Sequence, residues 1–385
     1  MSSLLLLDAA GGTHAEELAT APLFSRPTAP LRSRVAYAAA HVIPKPWAEN
    51  VPGAPAEIDW DATIAFRRHV WSWGLGVADA MDTAQRNMGL DAAATRELIS
   101  RSASAARESG GSVVAGVNTD HIDDESLSLQ QIIDAYVSQL QFTEEAGAGV
   151  VLMASRHLAR TATSAADYEH VYREVLSRAT TPVILHWLGT AFDPQLAGYF
   201  GADQAEATDT LVRIIENNAG TVSGVKMSLL DADAEIAVRA RLPRTASMYT
   251  GDDFNYVGLI EGDASAYSNA LLGAFATIAP NASAAIQALD RDDHDAYRSI
   301  LGPTEALSRQ VFAAPTFYYK TGVAFLSWLN GHQESFTMVG GLHSARSLPH
   351  LSEIVRLANA SGALERPELA AARWHGLLAS NGIAR

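Results

Sequence analysis

The sequence predicts an α/β protein, a (β/α)8 TIM barrel with a C-terminal helical extension, on three observations. From residue 34 onward short apolar runs alternate with longer amphipathic segments, and eight such units follow in succession. That alternation marks parallel strands joined by right-handed helical crossovers, and eight in a row favour a closed barrel over an open sheet. The first apolar run ends in HVIPKP, with none of the glycines that a dinucleotide-binding open sheet places after its first strand. After Pro280 the strand signal stops and helical periodicity takes over. The expected organisation is an irregular N-terminal extension over 1–33, the barrel over 34–290, and a helical region over 291–385 packed on its side. The 385 residues exceed the roughly 250 of a plain barrel and leave room for these additions.

The elements read in order as follows. RVAYAAAHVI is the first strand and 60–73 the first helix. GLGVADAM, GSVVAGVN, GVVLMAS, PVILHW, VSGVKM and ASMYTG are the next six strands, and ASAYSNA is the eighth. Helices are expected over 91–108, 127–146, 164–178, 203–218 and 231–241 between them. Beyond the barrel, 293–313, 316–330, 348–360 and 368–380 read as helices.

Composition excludes several classes. The net charge of −15, without a basic stripe, argues against nucleic acid as a partner. The chain has no cysteine, which rules out disulfides, thiolate nucleophiles and thiolate metal sites and fits a cytoplasmic location. No run approaches the ~20 apolar residues of a membrane span. The start, MSSLLLLDAAGG, has too short an apolar run and no basic flank for a signal peptide. No cofactor is expected.

The chain contains three lysines, Lys45, Lys226 and Lys320, and otherwise uses arginine. Arginine can replace lysine on a solvated face but not where a neutral amine is required. Lys226 lies in VSGVKMSLL, apolar on both sides. A lysine facing inward near the end of a barrel strand is desolvated, its pKa falls, and the free amine becomes a nucleophile toward ketones and aldehydes. The competing reading is a lysine that snorkels to the rim or pairs with a carboxylate. In this fold the active site sits at the C-terminal strand ends. The polar residues expected there are His41, Lys45, Asp79, Asp82, Asn118, Asp120, His121, Arg156, His157, His186, Asp252, Asp253 and Asn255 beside Lys226.

GVKMSLLD resembles the Gly-(Ile/Val)-Lys segment on strand six of the dihydrodipicolinate synthase and N-acetylneuraminate lyase family. GVNTD, PVILHWLG, MYTGDDFNYVGLIEGDASAYSNALLGAFATIAP and YYKTGVAFLSWLNG resemble further segments of that family in the same order, over roughly 34–360. The resemblance implies a Schiff-base lyase, aldolase or dehydratase working through Lys226, with a keto acid or oxidised sugar-like carbonyl compound as substrate. Three departures stand out. The family's proton-relaying tyrosine on strand five corresponds to His186. Its Gly-Thr-Thr-Gly-Glu turn is replaced by DAMDTAQR, and its arginine after strand five has no counterpart. A neutral or hydroxyl-rich substrate, held by Asp82, Asn118, His157 and Asp252, is therefore expected in preference to pyruvate. His186 would relay protons with a pKa near 6.5, giving an acidic limb in the rate profile near pH 6–7.

A second reading is a metal-dependent barrel hydrolase or isomerase with ligands drawn from His41, Asp79, His121, His157 and His186, although no close His-x-His spacing supports it. A third is a non-catalytic sugar sensor. Several residues also have plain structural readings: Asp252 and Asp253 as helix caps, Asp120, Asp123 and Asp124 as a solvated turn, Lys45 as a loop holder, Lys320 as a locally bonded helix residue. Finally, Phe317, Tyr318, Tyr319, Phe325 and Trp328 read as an exposed aromatic patch and predict a homodimer or homotetramer.

Overall fold

The computed structural model describes residues 3–263 and 266–383. Eight parallel strands close into a barrel, each hydrogen-bonded to its sequence neighbours and the last to the first. They are Ala36–Ala39, Gly76–Asp79, Val113–Val117, Gly149–Leu152, Val183–Leu188, Val222–Ser228, Ser247–Thr250 and Asn269–Leu272, the first to eighth barrel strands below. The strands read as continuous apolar runs because the helices cover their outer face while the barrel interior fills their inner one. Ala39, Ala78, Val114, Val151, Ile184, Tyr249 and Leu271 form that inner layer. It is built largely of small and branched side chains, as a barrel this narrow requires.

The crossover helices start where short polar side chains can cap them. Asp59, Asp91, Ser128, Asp203 and Asp231 each accept a hydrogen bond from a first-turn N–H of the helix that follows. Ser128 with Gln131 forms a complete capping box.

Three expectations need correction. The N-terminal extension is not irregular throughout: Ser3–Leu7 and Thr13–Glu17 pair as an antiparallel hairpin. Its turn is closed by Asp8, which accepts from the N–H groups of Ala10 and Gly12. Its leucines Leu4, Leu6 and Leu7 are buried, and Leu7 N–H donates to Ser352 Oγ while Trp374 Nε1 donates to Leu5 C=O. The hairpin thus gains its apolar partner only from the far end of the chain, which no local pattern could reveal. The eighth strand lies at Asn269–Leu272, later than ASAYSNA, whose first two residues fall outside the described residues. Ser268 precedes the strand, which takes the run Ala270–Leu271–Leu272 after Asn269, whose side chain accepts from Val35 N–H. The segment 293–313 is two helices, His294–Leu301 and Thr304–Val311, separated at Gly302 and Pro303.

The aromatic patch is also corrected. Phe325 and Tyr319 are buried at 0% and 4% exposure. Phe325 packs against Trp328, Phe336 and Trp374, and Tyr319 stacks on Phe312 at 4.3 Å. These rings close the helical region on itself, so they provide no case for a dimer or tetramer. Among the described residues no helix is long and apolar enough to cross a membrane.

Candidate active site

Strands five and six set the centre of the site. His186 and Lys226 are direct register partners on these neighbouring strands. Inner-facing residues recur every second position, so Ile184, His186 and Leu188 share the inner face of strand five, as Gly224, Lys226 and Ser228 do on strand six. Both side chains are buried, His186 at 0% and Lys226 at 8% exposure.

The Lys226 side chain rises along the barrel axis because Gly251, just past strand seven, makes room for it. A Cβ on Gly251 would stand 2.7 Å from Lys226 Cε and 2.2 Å from Ser228 Oγ. The amine therefore reaches the level of Ser228, and Ser228 is the register partner of Leu188. Leu188 lines an open cleft of about 220 Å³ at the C-terminal mouth of the barrel, together with Asp82, Asn118, Arg156, His157 and Lys320.

Burial pushes the Lys226 ammonium down, and the nearby carboxylates of Asp82 and Asp253 oppose that shift only in part. Among the described residues Lys226 forms no ion pair. Asp253 is fully enclosed, and burial raises its carboxyl to about 7 even though Oδ1 accepts from Ala274 N–H at 2.8 Å. For both groups the low-dielectric interior favours the neutral form.

His186 Nε2 lies 3.2 Å from Ser228 Oγ, and its Nδ1 is buried without a hydrogen-bond partner. Burial, then the adjacent Lys226, holds its pKa well below the ordinary histidine value. The expected titration near pH 6–7 is thus corrected: enclosure in the barrel interior disfavours the imidazolium and moves the His186 titration well below that range.

The predicted substrate contacts divide. Asp82 sits in a one-turn helix, Asp82–Ala84, after strand two; it lines the cleft and acts electrostatically on Lys226 and on Lys320. Asn118 lines the cleft while donating to Ala154 C=O and accepting from Thr119 N–H. His157 also lines it, but both ring nitrogens are engaged, Nδ1 with Thr119 Oγ1 at 2.7 Å and Nε2 with Asp124 C=O at 3.1 Å. Asp252 is withdrawn from the cleft: it is 0% exposed, and its carboxylate accepts from Phe254 N–H, Asn255 N–H and Asn255 Nδ2. It caps the turn after strand seven, the structural reading the sequence also allowed.

The five histidines and carboxylates of the metal reading are separated by their own partners. Asp79 receives a two-pronged contact from Arg67 at 2.8 and 3.0 Å and a bond from Ser102. His41 contacts Gln333, and His121 contacts Gln139. None of the five belongs to a group of three His or carboxylate side chains within metal-ligating reach among the described residues.

Asp120, Lys320 and Asp253 take roles other than the plain structural readings that the sequence offered for them. Asp120 is no solvated turn: it takes both oxygens to Arg86 at 2.5 and 2.6 Å. Lys320 does bond locally, donating to Phe317 C=O at 3.0 Å, yet it is also 2% exposed and lines the cleft. Burial lowers its pKa to about 8 against the opposing pull of Asp82 and Asp193. Its rarity as one of three lysines was the signal. Asp253 stood in the right segment, but nothing in GDDF distinguishes the capping aspartate from the one facing Lys226. The lining carries five carboxylates (Asp82, Asp120, Asp123, Glu125, Asp193) against four cations (Arg86, Arg156, Arg160, Lys320), and Arg86 and Arg156 are already paired with Asp120 and Asp193.

Solved structures share this architecture. The chain is similar to dihydrodipicolinate synthase from Bacteroides thetaiotaomicron, with 15% identity, a TM-score of 0.63, and coverage of 86% of this chain and 99% of that one. It is similar to the 4-hydroxy-tetrahydrodipicolinate synthase of Methylacidiphilum fumariolicum SolV, with 15% identity, a TM-score of 0.64, and coverage of 88% and 99%. It is also similar to KD(P)GA from T. tenax, with 17% identity, a TM-score of 0.59, and coverage of 86% and 100%. At these identities the likeness establishes the fold. No curated protein matches the chain in sequence. A family model described as a protein of unknown function (DUF993) matches residues 4–383, and the chain belongs to that family.

Proposed function

We propose that the protein is a Schiff-base lyase or aldolase that acts on a small carbonyl compound through Lys226. One observation carries the reading: a lysine enclosed in the barrel interior, depressed by burial and without an ion-pair partner among the described residues, lies two residues below Ser228, the register partner of the cleft-lining Leu188. A lysine kept for structure would be ion-paired or on the surface; this one is 8% exposed with no ion pair among the described residues, and a neutral amine is what imine formation needs. Its nitrogen adds to the carbonyl carbon, the carbonyl oxygen takes up two protons and leaves as water, and the iminium that remains draws electrons from the adjacent C–C or C–H bond. We assign the carriage of those protons to His186 acting through Ser228, which its 3.2 Å contact supports, with Asp253, a carboxyl that burial keeps partly protonated near neutral pH, as a further donor.

The near balance of charge in the cleft favours a keto compound with hydroxyl groups, such as an oxidised sugar, over a multiply charged anion. Asp82 and Asn118 are the contacts proposed for those hydroxyls. The protein is proposed to work in the cytoplasm, on a small molecule and without nucleic acid or membrane as partner; a homo-oligomer stays a proposal without support from the C-terminal aromatics.

The test is borohydride reduction in the presence of a panel of keto acids and keto sugars, read by intact mass and peptide mapping. The expected result is one adduct per chain on Lys226. No adduct with any carbonyl compound that the protein turns over, or an adduct on Lys320 in its place, overturns the assignment.

A further inference from the structure

Away from the cleft, three side chains from three segments converge on the outer flank of the barrel. His69 is in the last turn of the first barrel helix, Trp60–Ser72. His332 follows the helix Tyr319–Leu329, and Glu365 precedes the helix Pro367–Ser380. His332 Nε2 lies 2.8 Å and His69 Nε2 3.5 Å from one and the same oxygen, Glu365 Oε1. One ligand atom from each residue falls within 4.8 Å of the other two.

We propose that His69, His332 and Glu365 form a binding site for a divalent ion of the zinc class, which fastens the C-terminal helical region to the barrel. The donor set, two imidazoles and a carboxylate, suits that class of ion. In tetrahedral coordination with bonds of about 2.0–2.1 Å, neighbouring ligand atoms stand ~3.3 Å apart; the observed 2.8 and 3.5 Å bracket that value. As a purely hydrogen-bonded cluster the arrangement is poor. His69 reaches only the outer limit of a hydrogen bond, toward an oxygen that His332 already occupies. As fellow ligands of one ion the same separations are what the geometry asks for.

The surroundings hold the donors in place. The His69 and His332 rings lie 4.2 Å apart, and both pack on Phe66, at 6.2 and 5.4 Å between centroids. The next residue, Gln333, is tied to His41 at the end of the first strand by a 3.0 Å hydrogen bond. Glu365 N–H donates to Asn330 Oδ1. Side-chain exposures of 16, 16 and 25% leave room for a water as fourth ligand. None of the three lines the cleft, so the ion would act on the packing of the helical region and not on the carbonyl chemistry.

The test uses the full chain, stripped with chelator and titrated with zinc chloride by calorimetry, with thermal unfolding read in parallel. The expected result is one zinc per chain and a melting temperature raised by several degrees. Glu365→Gln, which can still accept from His332, and His69→Asn should each weaken zinc binding by about tenfold or more while the metal-free protein melts close to the unaltered one. A chain with Lys226→Arg should bind zinc normally, which separates this site from the lyase reading. Absence of saturable one-to-one binding at millimolar zinc, or equal affinity in the two variants and the unaltered chain, overturns the proposal.

Discussion

The two sides of the barrel mouth differ in how completely their polar groups are satisfied. Around strands two to four three of the buried or half-buried groups have found partners: Asp79 is locked to Arg67, Asp120 to Arg86, and His157 holds both Thr119 and Asp124. Around strands five to seven Lys226, His186 and Asp253 are just as buried but only partly matched. Among the described residues Lys226 has no ion pair and the buried Nδ1 of His186 has no partner, and burial drives the Asp253 carboxyl upward. Burying a polar group without satisfying it is unfavourable by about 1–3 kcal/mol. A fold keeps such a group where something other than stability requires it. The contrast separates a wall that builds the cleft from a wall that can act on what enters it.

Four outcomes would break or sharpen this contrast. The largest is expected at Lys226→Arg, which should abolish turnover and borohydride trapping while circular dichroism stays unchanged, since a guanidinium forms no imine at neutral pH. Trapping or turnover near the normal level would return Lys226 to the structural wall. Next, Arg67→Met should destabilise the fold by about 3–5 kcal/mol in denaturant melts, because it strands the Asp79 carboxylate in the interior; a loss below ~1 kcal/mol would mean that this side is not satisfied by its ion pair after all.

His186→Phe should reduce turnover by roughly 100-fold and leave slow trapping on Lys226 intact. Because the His186 pKa is depressed, the unaltered protein should show no limb from this residue between pH 6 and 7 in any turnover it supports; an acidic limb in that range that vanishes in the variant would restore the higher pKa. The same depression bears on stability. The folded chain cannot readily protonate His186, or His41, whose pKa burial lowers to about 3, whereas the unfolded chain protonates both near 6.5. The unfolded state therefore binds more protons below that pH, and stability should fall from pH 6.5 downward, by roughly 2 kcal/mol at pH 5 for His41 and in the same direction for His186. Urea midpoints at pH 7.5 and 5.0, compared with a His41→Asn chain, would show it; a midpoint flat across that range contradicts the burial argument.

The smallest effect is expected at Asp252→Asn, in the capping turn. It should lower stability by about 1 kcal/mol and leave KM unaltered. A raised KM would move Asp252 back into the cleft.

The sequence determined much of this by itself. Strand runs such as VSGVKM and PVILHW are apolar throughout because both faces of a barrel strand are buried, and that constraint acts locally on composition. The helix starts at Asp91, Ser128 and Asp203 are equally local, since a cap needs only its own first turn. The rarity of lysine singled out Lys226, while its inward direction came only with the barrel, since a run buried on both faces does not say which face a residue takes. Tertiary structure decided what depends on residues distant in sequence. Which aspartate of the Asp252–Asp253 pair faces Lys226 depends on the backbone of Ala274 and of Phe254 competing for the two carboxylates. Lys320 enters the cleft only because a C-terminal helix folds over the mouth, and Leu4 and Leu6 became core only when helices more than 300 residues later met them. The pKa of His186 was out of reach for the same reason. It is set by how much water the whole barrel excludes, and no stretch of PVILHW carries that information.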